Sequence, residues 1–552
     1  MINLFKHHWG ILAVVLLSFW AIKPLFVNGF FPMHDDTQVA RVFEMGKMLK
    51  DGMFPVRWVP DLGYGYGYPI FNFYAPLAYY VGGLFILLGF DALIATKIMM
   101  VLGIVLSGVF MYLLAREFWG EMGGVLSGLF YVYAPYHALD IYVRGDVAEF
   151  WAYAFVPLML YGFYKLFKNS QSNDDLETEK SKVKSQKSKA QFKIQKFGII
   201  GALGYAGIIL SHNLTALMIT PFLLASFLIL IIYSKKETRI LTTYYLLLTT
   251  FFGLMLSAFY WLPALLEMKY TNVLSQIGGG ADFRDHFVCI NQLWESNWGF
   301  GGSAPGCTLD GMSFVIGKLH ILSFVVSLFL IITANKFFYI FRHSGERSDS
   351  RIPSDLRDSG QARMTGLVLL SVLGLLISIF LMLEVSKPIW EGVSAMAFFQ
   401  YPWRFLLLAS FFGSILAGSA MWFFSVLVST SKESRSLPRH LRGVTNWWAA
   451  GIGFAILVFL LIYFNSKLFQ PQTIVPKTVL DYTSEHALKW TASKISDEFL
   501  PPNFKKPKSE REIAKKTAIA PYETALQKFS NAITLSGIVI LGLGIIIFKR
   551  KS

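Results

Sequence analysis

The chain has 552 residues, of which 54% are hydrophobic, 16% aromatic and only 15% charged, and its formal net charge is +15. Soluble globular proteins carry about 25% charged residues, so this composition excludes that class. The positive charge does not indicate nucleic-acid binding, because the lysines and arginines gather in short segments between apolar runs, as topology determinants do. Apolar runs of about 18 or more residues recur from end to end. They predict an all-α, polytopic integral membrane protein of about 12 transmembrane helices, with juxtamembrane or re-entrant helices and little or no β domain.

The first apolar run, 11–26, lacks a small-residue cleavage site and predicts a transmembrane helix or uncleaved anchor. His34, Asp35 and Asp36 follow it directly. Two adjacent carboxylates beside a membrane are costly unless they cap a helix, bind a metal or move a proton. Aspartate is a preferred N-cap, so one of the pair can cap the next helix while the other performs chemistry. The sequence leaves open which aspartate does which.

Apolar residues repeat at helical spacing after Asp36, while Arg41, Glu44 and Lys47 fall on the other face. This pattern predicts an amphipathic helix that lies along the membrane surface. Glycine and tyrosine then alternate over 63–68. Tyr64 and Tyr66 there are suited either to stacking on a sugar or to an aromatic belt at headgroup depth.

Charge patterning orients the second half of the chain. If the basic segments 165–196, 235–239, 336–363, 432–442 and 549–551 are all cytoplasmic, the intervening loops alternate consistently. The outer loops are then 136–149, 266–318, 385–403 and 465–530. The side on which Asp35 and Asp36 lie depends on whether the short run 74–90 crosses the membrane, and charge counting does not decide it.

Further polar residues fall in the predicted outer loops. Arg144 between acidic residues can bind a phosphate while Asp146 and Glu149 bind a divalent cation, or the three can form a local ion-pair network. Arg404 enters a helix from the outer side, where it can meet a phosphate or extend to lipid headgroups. His212 lies at a hairpin tip, as either a polar turn or a ligand.

The two cysteines, Cys289 and Cys307, are too few for a cysteine-based zinc or iron–sulfur centre. Both fall in the loop 266–318. If that loop faces an oxidising exterior they can form a disulfide; otherwise they are two thiols.

Five motifs resemble, in their order along the chain, the bacterial YfhO-like membrane proteins, and most closely their membrane domain named as related to 6-pyruvoyl-tetrahydropterin synthase: His34-Asp35-Asp36, Tyr74-Ala75-Pro76, Arg144-Gly145-Asp146, Ser211-His212-Asn213 and Tyr401-Pro402-Trp403-Arg404. The wider resemblance is to the GT-C superfamily of polytopic glycosyltransferases. It covers most of 1–430 and is strongest over the first 160 residues.

The resemblance implies a GT-C-like membrane domain over 1–430, with an outer catalytic loop at 28–96 and a juxtamembrane or re-entrant helix at 74–90. Residues 431–552 would form C-terminal helices around the extracytoplasmic segment 465–530. That segment is too short and polar for the large extracytoplasmic β domain of comparable family members. The implied location is the bacterial inner membrane, as a multi-pass protein. The implied partners are membrane lipids, a polyprenyl-phosphate-linked sugar donor and an envelope acceptor that the sequence does not identify.

The resemblance also implies roles for the polar residues. Asp35 or Asp36 would be the general base or a metal ligand. Asp146 and Glu149 would be supporting acids, or ligands of a divalent cation such as magnesium or manganese. Arg144 and Arg404 would be phosphate contacts. Further candidate contacts to substrate or phosphate are His34, Tyr64, Tyr66 and His212. Two alternatives stay open, a lipid or polysaccharide transporter and a non-catalytic scaffold on the same fold.

Overall fold

The computed structural model describes residues 2–171, 183–278, 280–329, 354–430, 439–516 and 518–549. Across these ranges the chain is mostly helical and contains no β-strand; its isolated bridges include Phe30–Val475, Val59–Tyr68 and Val288–Leu383. The predicted all-α architecture is therefore confirmed. The predicted cytoplasmic segments 165–196, 336–363, 432–442 and 549–551 lie partly outside the described residues.

Nine helical stretches in the described ranges are long and apolar enough to cross a membrane: Trp9–Phe26, Ala92–Arg144, Val147–Ser170, Gln191–Ser211, Asn213–Ile232, Arg239–Tyr270, Pro402–Met421, Ala450–Leu468 and Ala525–Ile546. The stretch Ala92–Arg144 has 53 residues, far more than the roughly 20 of one crossing. It bends at Gly120, whose φ of 70° is not helical. Two shorter apolar helices are Lys318–Phe329 and Gly366–Met382.

The described chain divides into two compact units. One unit, termed the acidic unit, comprises Leu25–Leu106, Arg144–Gly279 and Pro471–Ser552. The other, termed the disulfide unit, comprises Met1–Pro24, Ser107–Val143 and Gly280–Gln470. The predicted division of the chain at residue 430 stays a prediction.

The acidic unit contains the loop 28–96, the C-terminal segment and Arg144-Gly145-Asp146, termed the second acidic motif. Its α-helices, apart from the first part of Ala92–Val132, are Gln38–Lys50, Ile70–Phe73, Leu77–Leu87, Val147–Ser170, Val183–Ser211, Asn213–Ile232, Arg239–Glu267, Leu480–Thr483, Ser493–Ile495 and Ala525–Lys549. Helix Gln38–Lys50 is termed the loop helix, and Leu77–Leu87 the short helix. The C-terminal segment is 471–524.

The disulfide unit contains residues 280–318, the larger part of the predicted outer loop 266–318. Its α-helices, besides the rest of Ala92–Val132, are Ile2–Leu17, Phe19–Ile22, Pro135–Leu139, Lys318–Phe329, Ser354–Met382, Lys387–Gly392, Leu406–Thr430 and Arg439–Asn465. A disulfide joins Cys289 and Cys307, whose Cα atoms are 5.9 Å apart. Beside this loop, Trp390 is buried and stacks on Phe283 with ring centroids 5.3 Å apart.

The short helix occupies most of the run 74–90, whose topology charge counting leaves undecided. Its 11 residues span about 16 Å, roughly half of a bilayer core of about 30 Å. It packs on the loop helix at Gly82, where an added Cβ would lie 2.8 Å from Val42. Such a short helix, packed on another protein segment, is consistent with the juxtamembrane position that the family resemblance implies.

The loop helix is not the amphipathic surface helix that the sequence predicts. Arg41 is only 4% exposed and Glu44 is fully buried, although both fall on its polar face. Arg41 donates hydrogen bonds to Tyr79 and to Ser496, so the short helix and the C-terminal segment both cover this face. The sequence pattern identifies the helix correctly but not its partners, which come from far along the chain.

Protonation of Glu44 stabilises the folded state, so the free energy of unfolding depends on pH. Burial raises the pKa of Glu44 to about 8, and the neighbouring Asp61 charge adds to this effect while Lys47 opposes it. The folded state thus binds this proton more tightly than the unfolded state, so stability falls as pH rises from about 4.5 to 8.

We expect Glu44→Gln to unfold at a higher temperature than wild type above pH 8, with the difference shrinking towards pH 4.5. Thermal unfolding in detergent across this range measures the effect. Glu295→Gln, at an exposed glutamate, is the matched control. A constant difference between Glu44→Gln and wild type at every pH would contradict the prediction.

Candidate functional site

The second acidic motif forms a buried cluster at the start of helix Val147–Ser170. Arg144 donates from Nη2 to Asp146 Oδ2 at 2.8 Å and from Nη1 to Glu149 Oε2 at 3.0 Å. All three side chains are buried. Asp146 is the N-cap, because its Oδ1 accepts the Glu149 backbone N–H at 3.0 Å. One guanidinium thus compensates two buried carboxylates, and this cluster contains the ion pairs that the sequence gives as one of two alternatives.

The first acidic motif, His34-Asp35-Asp36, adjoins this cluster, and hydrogen bonds to backbone carbonyls join the two loops. Asp35 donates its N–H to the Arg144 carbonyl at 2.9 Å, and Gln38 donates from Nε2 to the Gly145 carbonyl at 2.8 Å. Gly145 has a φ of +65°, and a Cβ there would lie 2.1 Å from Met33 Sδ. Only glycine permits so close an approach of the two loops.

The Asp35 carboxylate is half-buried beside these charges. Of the residues that the structure describes, none hydrogen-bonds or ion-pairs with its side chain. Burial raises the pKa of Asp35 to about 6, and the Asp146 charge adds to the rise, while Arg41 and Arg144 oppose it. Asp35 is therefore a carboxylate with oxygens available to a ligand and a proton affinity near neutrality, which suits a general base.

Asp36 differs from its neighbour by having a partner. Its Oδ2 lies 3.3 Å from Nζ of Lys477, in the C-terminal segment. Burial raises the pKa of Asp36, and Lys477 opposes this rise. His34, immediately before the pair, is exposed.

Neither Asp35 nor Asp36 caps the loop helix. The N-cap residue is Thr37, and no side chain makes a cap hydrogen bond there. The capping role that the sequence offers to one aspartate is thus not taken by either of them. The aspartate that caps a helix at this site is Asp146.

A chain of hydrogen bonds holds the Asp35 loop in place. Tyr79 donates to Gln38 Oε1 at 2.7 Å, and Arg41 donates to the Tyr79 hydroxyl at 3.4 Å and to Ser496 Oγ at 3.0 Å. The Arg41 guanidinium also lies 4.4 Å from the centre of the Tyr74 ring. The sequence does not predict that Arg41 lies at the candidate site, because an arginine on a polar helix face ordinarily faces solvent.

The C-terminal segment contributes a further carboxylate that sequence reasoning missed. Glu498 accepts a hydrogen bond from Ser496 at 3.2 Å, and its charge acts on both Asp35 and Arg41. No local sequence signal identifies Glu498, because its place depends on how the segment folds over the first loop.

The glycine–tyrosine loop packs on the same segment. Tyr64 is 3% exposed, donates its backbone N–H to Ser493 Oγ at 3.0 Å and donates its hydroxyl to Asp497 at 3.2 Å. Tyr66 is 53% exposed, and its hydroxyl donates to the Glu512 carbonyl at 3.2 Å. Phe504 of the C-terminal segment stacks on the Tyr64 ring. Sugar contact by Tyr64 or Tyr66 stays a prediction.

His212 joins the second acidic motif. One ligand atom from each of Asp146, Glu149 and His212 can be chosen so that all three lie within 4.8 Å of one another. His212 Nδ1 also lies 2.8 Å from the Thr215 hydroxyl, at the start of helix Asn213–Ile232. Nδ1 also accepts the Thr215 backbone N–H at 3.3 Å, so His212 caps this helix. Two carboxylates and an imidazole are donor types that a divalent cation such as manganese binds.

Arg404 lies in the disulfide unit. Its side chain is buried, and the guanidinium lies 5.6 Å from the centre of the Tyr401 ring. Tyr401 in turn stacks on Trp403 at 4.9 Å. This burial differs from the exposed position that reaching for lipid headgroups would require.

Comparisons with known proteins give distant relatives. No protein-family model matches the chain. An uncharacterised protein of Lactococcus lactis subsp. cremoris is 25% identical over 277 residues, which are 48% of this chain and 41% of that protein. The chain thus spans less than half the length of this relative.

Two solved structures show a distant similarity to the chain. The oligosaccharyltransferase of Archaeoglobus fulgidus, tethered to an acceptor peptide, is 13% identical with a TM-score of 0.47, over 96% of this chain and 64% of that one. ArnT of Cupriavidus metallidurans, bound to undecaprenyl phosphate, is 13% identical with a TM-score of 0.37, over 89% and 77%. Similarity of this degree concerns the fold alone, and no residue role is taken from it.

Proposed function

We propose that the protein is a membrane glycosyltransferase that moves a sugar from a polyprenyl-phosphate carrier to an envelope acceptor on the extracytoplasmic side. The observation that carries this proposal is the Asp35 carboxylate, which has no described protein partner yet is placed beside two guanidiniums and a buried acid. A scaffold has no need of a half-buried carboxylate that no described side chain hydrogen-bonds, and Asp35 does not serve as a helix cap.

In the proposed reaction, Asp35 accepts the proton of the acceptor hydroxyl as its oxygen attacks the anomeric carbon of the donor. The bond from that carbon to the phosphate oxygen breaks, and polyprenyl phosphate leaves with the bonding electrons. Arg41 and Arg144 lower the cost of an ionised Asp35, which must be deprotonated to act.

The leaving phosphate requires positive charge. The two terminal nitrogens of Arg144 already bind Asp146 and Glu149, so we assign Arg144 to holding these acids. A contact of Arg404 with a phosphate stays a prediction from the sequence. A divalent cation, magnesium or manganese, would be held by Asp146, Glu149 and His212 and would supply charge to the donor phosphate.

The test is the release of polyprenyl phosphate. Purified protein in proteoliposomes is given a panel of radiolabelled polyprenyl-phosphate hexoses, with membranes from host cells that lack the gene as the source of acceptors. We expect labelled sugar to enter the membrane fraction together with release of the carrier phosphate. Release no greater than in empty proteoliposomes, with every donor of the panel, would contradict the proposed function.

A further inference from the structure

The C-terminal segment reaches the first acidic motif at Lys477. Val475 and Phe30 form an antiparallel bridge, with N–H to carbonyl distances of 2.7 and 3.0 Å. Lys477 then donates its N–H to the Val475 carbonyl at 2.7 Å, which turns the chain beside the bridge. The place of Lys477 is thus fixed by backbone hydrogen bonds and does not depend on its side chain.

The Lys477 ammonium lies between an acid and an aromatic ring. Nζ is 3.3 Å from Asp36 Oδ2 and 4.6 Å from the centre of the Tyr482 ring. Tyr482 is buried and contacts Phe30 edge to face, with centroids 6.0 Å apart. A cation held by a carboxylate and a ring face, on a fixed backbone, has a defined position.

Two adjacent carboxylates compete for a proton when neither is compensated. Asp36 faces Lys477 and the Tyr482 ring, whereas Asp35 faces Arg41, Arg144, Asp146 and Glu498. Lys477 therefore distinguishes the two aspartates, because it pairs with only one of them.

We propose that Lys477 is a positioning residue of the acidic site, which neutralises Asp36 and leaves Asp35 as the carboxylate that meets the acceptor. The C-terminal segment is then part of the active site, although it is too short to form a large domain. This inference rests on the proposed function for its kinetic consequence but not for the contact itself.

The contact is tested without turnover. A water-soluble carbodiimide joins an ammonium to a carboxylate that touches it, and peptide mass spectrometry identifies the bond. We expect a Lys477–Asp36 crosslink in the full-length protein, lost in both Lys477→Met and Asp36→Asn. A Lys477–Asp35 crosslink, or none to either aspartate, would overturn the assignment whether or not the protein transfers sugar.

The role is tested by a double-mutant cycle on polyprenyl-phosphate release. Without Lys477, Asp36 becomes a second, competing proton acceptor, so Lys477→Met should lower kcat about tenfold while KM for the donor stays within about twofold. Lys477→Arg should retain activity, because it keeps the charge. Asp36→Asn should restore most of the activity of Lys477→Met, because it removes the competitor.

Three results would overturn the positioning role. If Lys477→Met raises KM and Asp36→Asn does not rescue it, Lys477 binds the donor instead. If Lys477→Arg is as impaired as Lys477→Met, the charge is not what matters. If wild type releases carrier phosphate and Lys477→Met is fully active, the inference fails while the proposed function stands. If wild type itself releases none, the proposed function fails, and the crosslink alone decides whether Lys477 pairs with Asp36.

Discussion

Asp35→Asn is expected to lower the rate of sugar transfer by about 10²–10⁴-fold, the range that a positioned general base contributes. Asparagine has nearly the same shape but cannot accept the acceptor proton. No described residue pairs with the Asp35 side chain, so the fold should survive the change. The assay is polyprenyl-phosphate release from a labelled donor, with thermal unfolding as the check on folding.

Asp36→Asn is the matched control, since it is the same change one residue away. Because Lys477 compensates Asp36, we expect this variant to retain activity within about threefold of wild type. Equal losses in the two variants would show that the aspartates act as a unit. Full activity in both would remove the catalytic assignment.

Arg144→Met is expected to have the largest effect on stability. It leaves Asp146 and Glu149 buried without the guanidinium that binds both at 2.8 and 3.0 Å. Breaking a buried ion pair in this way costs about 3–5 kcal/mol. Arg144→Lys should fall between wild type and Arg144→Met, because an ammonium keeps the charge but cannot bridge two carboxylates with a fixed fork.

The origin of that loss can be separated by removing the acids as well. Arg144→Met combined with Asp146→Asn and Glu149→Gln should recover part of the stability, since the buried charges are then gone. The measurement is the unfolding midpoint in detergent for all four proteins. A midpoint for Arg144→Met equal to that of wild type would contradict the role given to this cluster.

The helical architecture follows from the sequence because its main signal, the apolar run, is local. The position of the loop helix is predicted for the same reason. The environment of the loop helix is not predicted. Arg41 and Glu44 have the sequence pattern of solvent-facing residues, but the short helix and the C-terminal segment cover them. Burial of a charged face depends on residues hundreds of positions away, such as Ser496, which helical periodicity does not report.

In the candidate site, too, local contacts are predictable from the sequence and distant contacts are not. Arg144, Asp146 and Glu149 lie within six residues, so their association is predictable from spacing along one turn. The approach of His212 to these acids is not local, and the choice between Asp35 and Asp36 depends on Lys477, over 400 positions later. The sequence around Asp35 and Asp36 does not distinguish them, because the difference is that the distant Lys477 pairs with Asp36 alone.

The most direct measurement of the central claim is the pH dependence of polyprenyl-phosphate release under single-turnover conditions. With the pKa of Asp35 raised to about 6, protonation below that pH removes the base, so the rate should fall about tenfold per unit as pH drops below 6. Asp36→Asn should keep this acid limb. A rate that stays constant from pH 7 to 5, or the same limb in the residual activity of Asp35→Asn, would contradict the account.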